Sequence, residues 1–492
     1  MISKRILVRN GVFSGLQFAI NALGLLGSYR IISIHLGMAV LGAWAICLSI
    51  ASLASLFDGG ASDALVRQIA QAIAHGDRDA AAKLFSTAIL MCVVGSATGA
   101  LILYFSVSGP LSSFVATRIP GGYVDIFTAS LWVGALNVPG NACIGVLEGL
   151  ERYDLKLAVS SGGVLLFFVG ILVLVPSLGA RGMILAFVLQ SGFVLAAAIP
   201  LIATRLPLLR NGNWKPDGLR ALQLMRIGFP LKAFGLTSFA LEPLTRMLMG
   251  NFGGMRSAGI YEIAARTVTQ LRGLLVGVVQ VALPRFVSLS VSDPQRSLGT
   301  EAVSVRITAA TAILAFGSLT LLLPWVSRLL LNGFDAEFCQ YALVLSFGWF
   351  LNTLCAPYFY ATVAAAHLRS IWITMSLMAA INATAGYLLG MLFGPSGVVY
   401  GLSCAVAIGS IYVIRSRTRF QALSRLPYGR PELLLLLAAI LILAANIYWQ
   451  ISNLQTVRVL NASAISALIF WAASICSSWF FYHDIRKKII AI

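Results

Sequence analysis

Apolar residues run along this chain in long blocks, interrupted at intervals by short clusters of Lys, Arg, Gly and Pro. Residues 84–117, 126–147, 157–180, 182–204, 307–327, 370–414, 433–457 and 459–483 contain no Asp, Glu, Lys or Arg. Each block is long enough to cross a bilayer as a helix, which takes ~20 residues at ~1.5 Å of rise apiece. The longest, 370–414, is interrupted at Gly394-Pro395-Ser396-Gly397, a turn sequence that divides it into two spans. Adding the blocks that carry a few embedded charges, the pattern predicts about fourteen helices. The blocks are far longer than barrel strands and show no alternation of period two, so a closed barrel is not how this chain satisfies its backbone in lipid. The expectation is an all-α integral membrane protein.

Composition removes the soluble alternatives. The chain is 59% hydrophobic and only 11% charged, against roughly a quarter charged in a soluble domain. A formal charge of +18 would suggest a nucleic-acid binder in a soluble chain. Here the bases sit between apolar blocks, with no aromatic-basic interleave, so nucleic acid is dropped as a partner and the charges are read as topology. Numbering the connections alternately, one set collects 25 bases, from Lys4, Arg5 and Arg9 through to Arg486, Lys487 and Lys488. The other set holds Arg118, Arg181, Arg256, Arg328 and Arg458. By the positive-inside rule both termini are cytoplasmic. The first apolar run follows MISKRILVRN, lacks a small-x-small cleavage site and reads as an uncleaved span. The seven Cys fall singly without CxxC spacing, as small hydrophobes rather than a metal site or disulfide framework.

The two halves share features at a near-constant shift. Ser28-Tyr29-Arg30 pairs with Leu244-Thr245-Arg246 at 216, Gly42 with Gly259 at 217, Leu65-Val66-Arg67 with Leu283-Pro284-Arg285 at 218, Arg152 with Arg369 at 217, and GARG (179–182) with GPSG (394–397) at 215. The shift covers six spans, an even number, so both copies enter the membrane in the same sense. The predicted architecture is two parallel-repeat six-helix bundles around a central cavity plus two extra C-terminal helices. The boundaries are an N-terminal bundle at 1–204, a cytoplasmic linker at 205–225, a second bundle at 226–414, a basic cytoplasmic linker at 415–431, and helices thirteen and fourteen with a basic tail at 432–492.

Charges inside spans are costly, ~2.5–3.5 kcal/mol each at mid-membrane on insertion scales, and so face protein or water. Here they are Arg30, Asp58, Asp63, Lys232, Glu242, Arg246, Glu262, Arg266 and Arg272. Lys232, Glu242 and Arg246 follow one helical stripe in span seven, Glu262 and Arg266 stand four apart in span eight, and Ser14, Gln17, Asn21, Gly24 and Ser28 form a polar stripe in span one. These spans are therefore expected to line the cavity. A purely structural use stands beside each assignment: Glu242 with Arg246 and Glu262 with Arg266 as i,i+4 pairs, Lys232 snorkelling to the interface, Asp58 and Asp63 as turn or helix-end residues. Five bases (Arg30, Lys232, Arg246, Arg266, Arg272) oppose two acids in spans one, seven and eight, and guanidinium forks suit phosphate oxygens, so the expected ligand is anionic. Gln17 and Asn21 join these bases as candidate substrate contacts. Glu242, Glu262 and Asp58 are the candidates for ion coupling, and no cofactor or metal is called for.

LGMAVLGAWAICLSIASLASLFDGGASDALVRQIA (36–70), VLEGLERYDL (146–155), GIYEIAARTVTQLRGLLVGVVQVALPRF (259–286), AAAHLRS (364–370) and GPSGVVYGL (394–402) resemble bacterial polysaccharide-transport proteins. These are the Wzx-type O-antigen and lipid-linked oligosaccharide flippases of the multidrug/oligosaccharidyl-lipid/polysaccharide exporter superfamily, and the similarity covers roughly residues 5–415. The resemblance implies a multi-pass protein of the bacterial inner membrane. It would move undecaprenyl-diphosphate-linked glycan, an O-antigen or exopolysaccharide repeat unit, from the cytoplasmic to the periplasmic leaflet by alternating access. It also implies membrane lipids as surroundings, a polysaccharide polymerase and chain-length machinery as partners, and cationic cavity residues at Arg30, Arg246, Arg266 and Arg272.

Two rivals stand beside this reading. A membrane-embedded polymerase or glycosyltransferase needs outward loops with acid-base clusters, and the outer loops here are short and hold none. A cation-coupled multidrug antiporter of the same superfamily would use an acidic site, for which Asp58, Glu242 or Glu262 could serve. No GxxxxGK[ST] loop is present for ATP, which leaves the membrane potential, or H+ or Na+ exchange, as the driving force.

Overall fold

The computed structural model of the protein describes residues 4–116, 124–210, 214–239, 241–281, 294–364 and 368–420. All regular structure among them is helical: α1 Lys4–His35, α2 Met38–Ala51, a 3-10 segment Ser52–Asp58, α3 Ala61–Ala74, α4 Arg78–Ala116, α5 Val124–Gly149, α6 Tyr153–Leu178, α7 Ala180–Ala203, the single turn α8 Pro207–Arg210, α9 Gly218–Phe239, α10 Glu242–Val281, α11 Pro294–Leu331, α12 Ala336–Ala364 and α13 Leu368–Phe420. Eight helices among the described residues are long and apolar enough to cross a membrane, one of them the 48-residue stretch Arg369–Ser416. The two spans expected beyond residue 432 lie outside the described residues, as do most of the linker expected at 415–431 and the Leu283-Pro284-Arg285 member of the repeat.

The chain forms two compact units, Met1–Glu262 and one beginning at Ile263, so α10 contributes to both. In the first, Leu65 and Ile69 of α3, Phe85 and Cys92 of α4, Cys143 and Leu147 of α5, and Ala198 and Ile202 of α7 form one buried cluster. In the second, Val305, Cys355, Tyr358 and Val413 join α11, α12 and α13. Large apolar side chains such as Val173, Leu388 and Leu392 point outward, as they must where the solvent is lipid rather than water.

Glycine sets four of the helix breaks, and these four repeat. Gly37, ahead of α2, has φ 84° and ψ 163°; Gly254, where α10 bends, has φ 74° and ψ 179°. Gly179, between α6 and α7, has φ 60° and ψ −134°; Gly394, inside α13, has φ 63° and ψ −147°. Side chains rarely tolerate this positive-φ region, so each break is encoded by the residue that can adopt it. The first pair is offset by 217 and the second by 215, in agreement with the sequence repeat. After the second kind of break, a Cβ on Gly182 would strike the Leu174 carbonyl, and one on Gly397 the Leu389 carbonyl.

The helices α2 and α10 cross within the first unit at Gly42 and Gly259. A Cβ on Gly42 would collide with the Met255 carbonyl oxygen, and one on Gly259 with the Met38 carbonyl oxygen. Met38 and Met255 differ by 217, as do Gly42 and Gly259, so the contact is self-reciprocal: a local two-fold relates the two segments. Without a hydrophobic driving force in lipid, backbone approach at small residues is a main source of helix association.

Candidate functional site

Among the described residues, three groups hold most of the charged side chains that the sequence singled out, two in the first unit and one in the second. The first forms where the 3-10 segment ends. Gly59 and Gly60 carry the chain through positive φ, 65° and 81°, and fold Asp58 back over the start of α3. Its Oδ1 accepts the Gly60 N–H at 2.8 Å. Its Oδ2 accepts the Ser62 hydroxyl at 2.6 Å and the Ser62 N–H at 3.3 Å. Asp58 is buried, and its charge is met by Lys232 of α9, whose Nζ lies 3.4 Å from Asp58 and 3.2 Å from Asp63. Backbone contact between Gly60 and Gly228 brings α9 this close.

The second group centres on Arg246. Its Nε donates to Glu262 Oε2 at 2.6 Å and one Nη to Glu262 Oε1 at 3.5 Å. The same Nη reaches Glu242 at 3.2 Å, and the other donates to Ser49 Oγ of α2 at 3.0 Å. The Tyr29 hydroxyl of α1 donates to Glu262 Oε1 at 3.2 Å. Arg246 is 6% exposed and Glu262 2%. Burial at this level is tolerated because the pair is forked and its remaining hydrogen-bond positions are filled.

The Gly37 and Gly254 breaks correct the register of the repeat here. Tyr29 stands eight residues before one and Arg246 eight before the other, so Arg246 corresponds to Tyr29, not to Arg30. Both converge on the same carboxylate. Arg30, one position further round α1, is half-buried and its guanidinium has no hydrogen-bond or ion-pair partner among the described residues.

The polar stripe of span one packs on α6. Gln17 Nε2 donates to Ser160 Oγ at 3.0 Å and Asn21 Nδ2 to the same oxygen at 3.5 Å, while Asn21 Oδ1 is buried with no hydrogen-bond partner among the described residues. Ser28 returns its hydroxyl to the Gly24 carbonyl at 2.7 Å.

The third group lies in the second unit. Arg266 is half-buried on α10. Arg272 donates from Nε to Asn352 Oδ1 of α12 at 2.8 Å and stacks over the Trp349 ring, 4.8 Å from its centroid. Asn352 is itself held by Nδ2 donating to Ser410 of α13 at 3.1 Å. Two turns further on, Gln280 Nε2 donates to the Tyr360 hydroxyl at 2.5 Å.

Within the first unit the charges that the sequence grouped fall into two sets. Lys232 joins Asp58 and Asp63, two acids left out of the sign balance of the spans. Arg246 joins Glu242 and Glu262, the latter across the Gly254 bend. Tyr29, Ser49, Trp349 and Asn352 complete these groups and were not singled out by sequence. Asn352 had a visible signal, a carboxamide in the middle of an apolar span; Trp349, Tyr29 and Ser49 had none.

The sequence profile described as "Polysaccharide biosynthesis protein" matches residues 35–331. No curated protein matches the chain. Among solved structures, the lipid II flippase MurJ in an inward closed conformation superposes with a TM-score of 0.70 at 15% identity, over 96% of this chain and 99% of that one. An inward-facing multidrug resistance MATE family transporter of the MOP superfamily gives 0.68 at 16%, over 82% and 95%. A mutant of the Vibrio cholerae MATE transporter VcmN gives 0.61 at 15%, over 87% and 100%. At these identities the likeness establishes a shared fold.

Proposed function

The chain belongs to the polysaccharide biosynthesis protein family, and from that premise we propose that it is a flippase for undecaprenyl-diphosphate-linked oligosaccharide. The unit carried is an O-antigen or exopolysaccharide repeat, moved from the cytoplasmic to the periplasmic leaflet of the bacterial inner membrane by alternating access. The observation that carries the reading is the unequal fate of the intramembrane charges. Asp58, Asp63, Glu242 and Glu262 are all engaged by Lys232 or Arg246. Arg30 is matched by no acid among the described residues, and Arg272 is oriented by a neutral carboxamide and an indole face. A guanidinium fork within a span that no acid among the described residues meets, as at Arg30, suits a diphosphate. A drug-cation antiporter would instead leave carboxylates unengaged.

An inside-negative potential favours outward movement of such an anion by ~2.3 kcal/mol per charge per 100 mV. Glu242, whose side chain is 53% exposed, is the carboxylate best placed to exchange a proton or Na+ as an added driving force. The test is glycan display in cells. Arg30→Ala and Arg272→Ala should each abolish display with protein abundance unchanged; full display in both variants would refute the assignment.

A further inference from the structure

Arg272 and Gln280 both lie on α10 and contact residues 80 further along, Asn352 and Tyr360, on α12. Equal sequence separations at two points mean that the helices run side by side in the same direction, with two polar rungs between them. The rungs are eight residues apart, about 12 Å of helix. One rung is a guanidinium held over an indole ring; the other is neutral.

The neutral rung keeps hydrogen-bonding capacity in reserve. The Gln280–Tyr360 bond uses one amide hydrogen and one phenol lone pair. The Tyr360 O–H and the Gln280 carbonyl then have no partner among the described residues. Exchanging the amide nitrogen and oxygen would leave an amide donor beside a phenol lone pair instead, so a donor and an acceptor stand together in either orientation. Gln280 is exposed and Tyr360 half-buried, so both can be reached. Facing acyl chains, such unmet polarity would be costly. A sugar hydroxyl or acetamido group both donates and accepts, and meets both at once; a prenyl chain or a hydrophobic drug meets neither.

We propose that Gln280 and Tyr360 form a saccharide subsite that recognises the sugar attached to a diphosphate held at Arg272. This rests on the flippase reading above and adds what the protein would distinguish within its substrate class. The test is binding by the full-length protein in lipid nanodiscs of two probes, undecaprenyl diphosphate and undecaprenyl-diphosphate-N-acetylglucosamine. The wild type should bind the sugar-bearing lipid about tenfold more tightly, the worth of one well-made hydrogen bond. Tyr360→Phe, which keeps the ring and its packing, and Gln280→Leu should each lower affinity for the sugar-bearing lipid towards that of the bare diphosphate and leave the latter unchanged. Arg272→Ala should weaken both. Equal wild-type affinity for the two lipids, or an equal loss of both in Tyr360→Phe, would overturn the subsite while leaving the flippase reading intact. Binding of neither lipid by the wild type would overturn both.

Discussion

Arg246→Ala removes the partner that holds Glu262 as an ion at 2% exposure, and the structure sets the size of the penalty. At least four contacts disappear: two to Glu262 at 2.6 and 3.5 Å, one to Ser49 at 3.0 Å and one to Glu242 at 3.2 Å. Glu242 returns to solvent, its side chain already 53% exposed. Glu262 retains the Tyr29 hydroxyl. Stranding a buried partner in this way is worth about 3–5 kcal/mol. Glu262→Gln should be milder, about 1–3 kcal/mol, because Arg246 still reaches Glu242 and Ser49. The double replacement Arg246→Met with Glu262→Leu removes the stranded charge altogether and should recover most of the loss, giving a coupling of about 2 kcal/mol or more. Reversible unfolding in mixed micelles measures each variant, with abundance and glycan display followed in cells. Arg246→Ala unfolding like wild type, or purely additive effects, would refute a structural pair. Equally decisive would be a double variant that regains abundance without display, since Arg246 would then touch substrate.

Three further outcomes follow from the same geometry. Asp58→Asn loses an acceptor for the Ser62 donors and weakens the tie to Lys232, and should lower the free energy of unfolding by about 1–3 kcal/mol, whereas Asp63→Asn, at 45% side-chain exposure, should lose less than about 1 kcal/mol. Gly259→Ala forces α2 and α10 apart and should lower stability by about 1–3 kcal/mol in the same assay, while Gly192→Ala, with open space around its Cβ, should not. Arg30→Gln breaks no ion pair, so its unfolding should match wild type while display is lost.

The spans, their breaks and the repeat were legible in the sequence because each is a property of one residue or one run. A charge-free block of twenty or more residues has few structural options in lipid. Gly394 and Gly179 announce their breaks because the required torsions exclude most side chains. Pairing was not legible, because it depends on which helices meet. Glu262 looked like a local partner for Arg266 four residues on; the bend at Gly254 also delivers Arg246 to it from sixteen residues back. The stripe of Gln17 and Asn21 looked like a cavity wall, yet packing on Ser160 of α6 produces the same three-four rhythm. Asp58 was correctly suspected as a turn residue, but nothing local shows that the same carboxylate also meets Lys232, 174 residues away.

The repeat also shows where the two copies have diverged. At the offset of 217 fixed by Gly37 and Gly254, the first-copy counterpart of Glu262 is Ala45, and that of Arg246 is Tyr29. The buried ion pair therefore exists in the second copy alone, and the first copy supplies only neutral hydroxyls, Tyr29 and Ser49, to complete it. Had each copy carried its own pair, two buried carboxylates and two guanidiniums would crowd the reciprocal crossing at Gly42 and Gly259, and each would have to be desolvated. Placing Tyr rather than Arg opposite Arg246 supplies the last donor that Glu262 needs without a second charge. It also leaves the first-copy arginine one residue further on, at position 30, turned about 100° round α1 and outside the neutralised cluster. The geometry that satisfies Glu262 is thus the same geometry that leaves Arg30 outside the pair, where the proposed anionic ligand would need it.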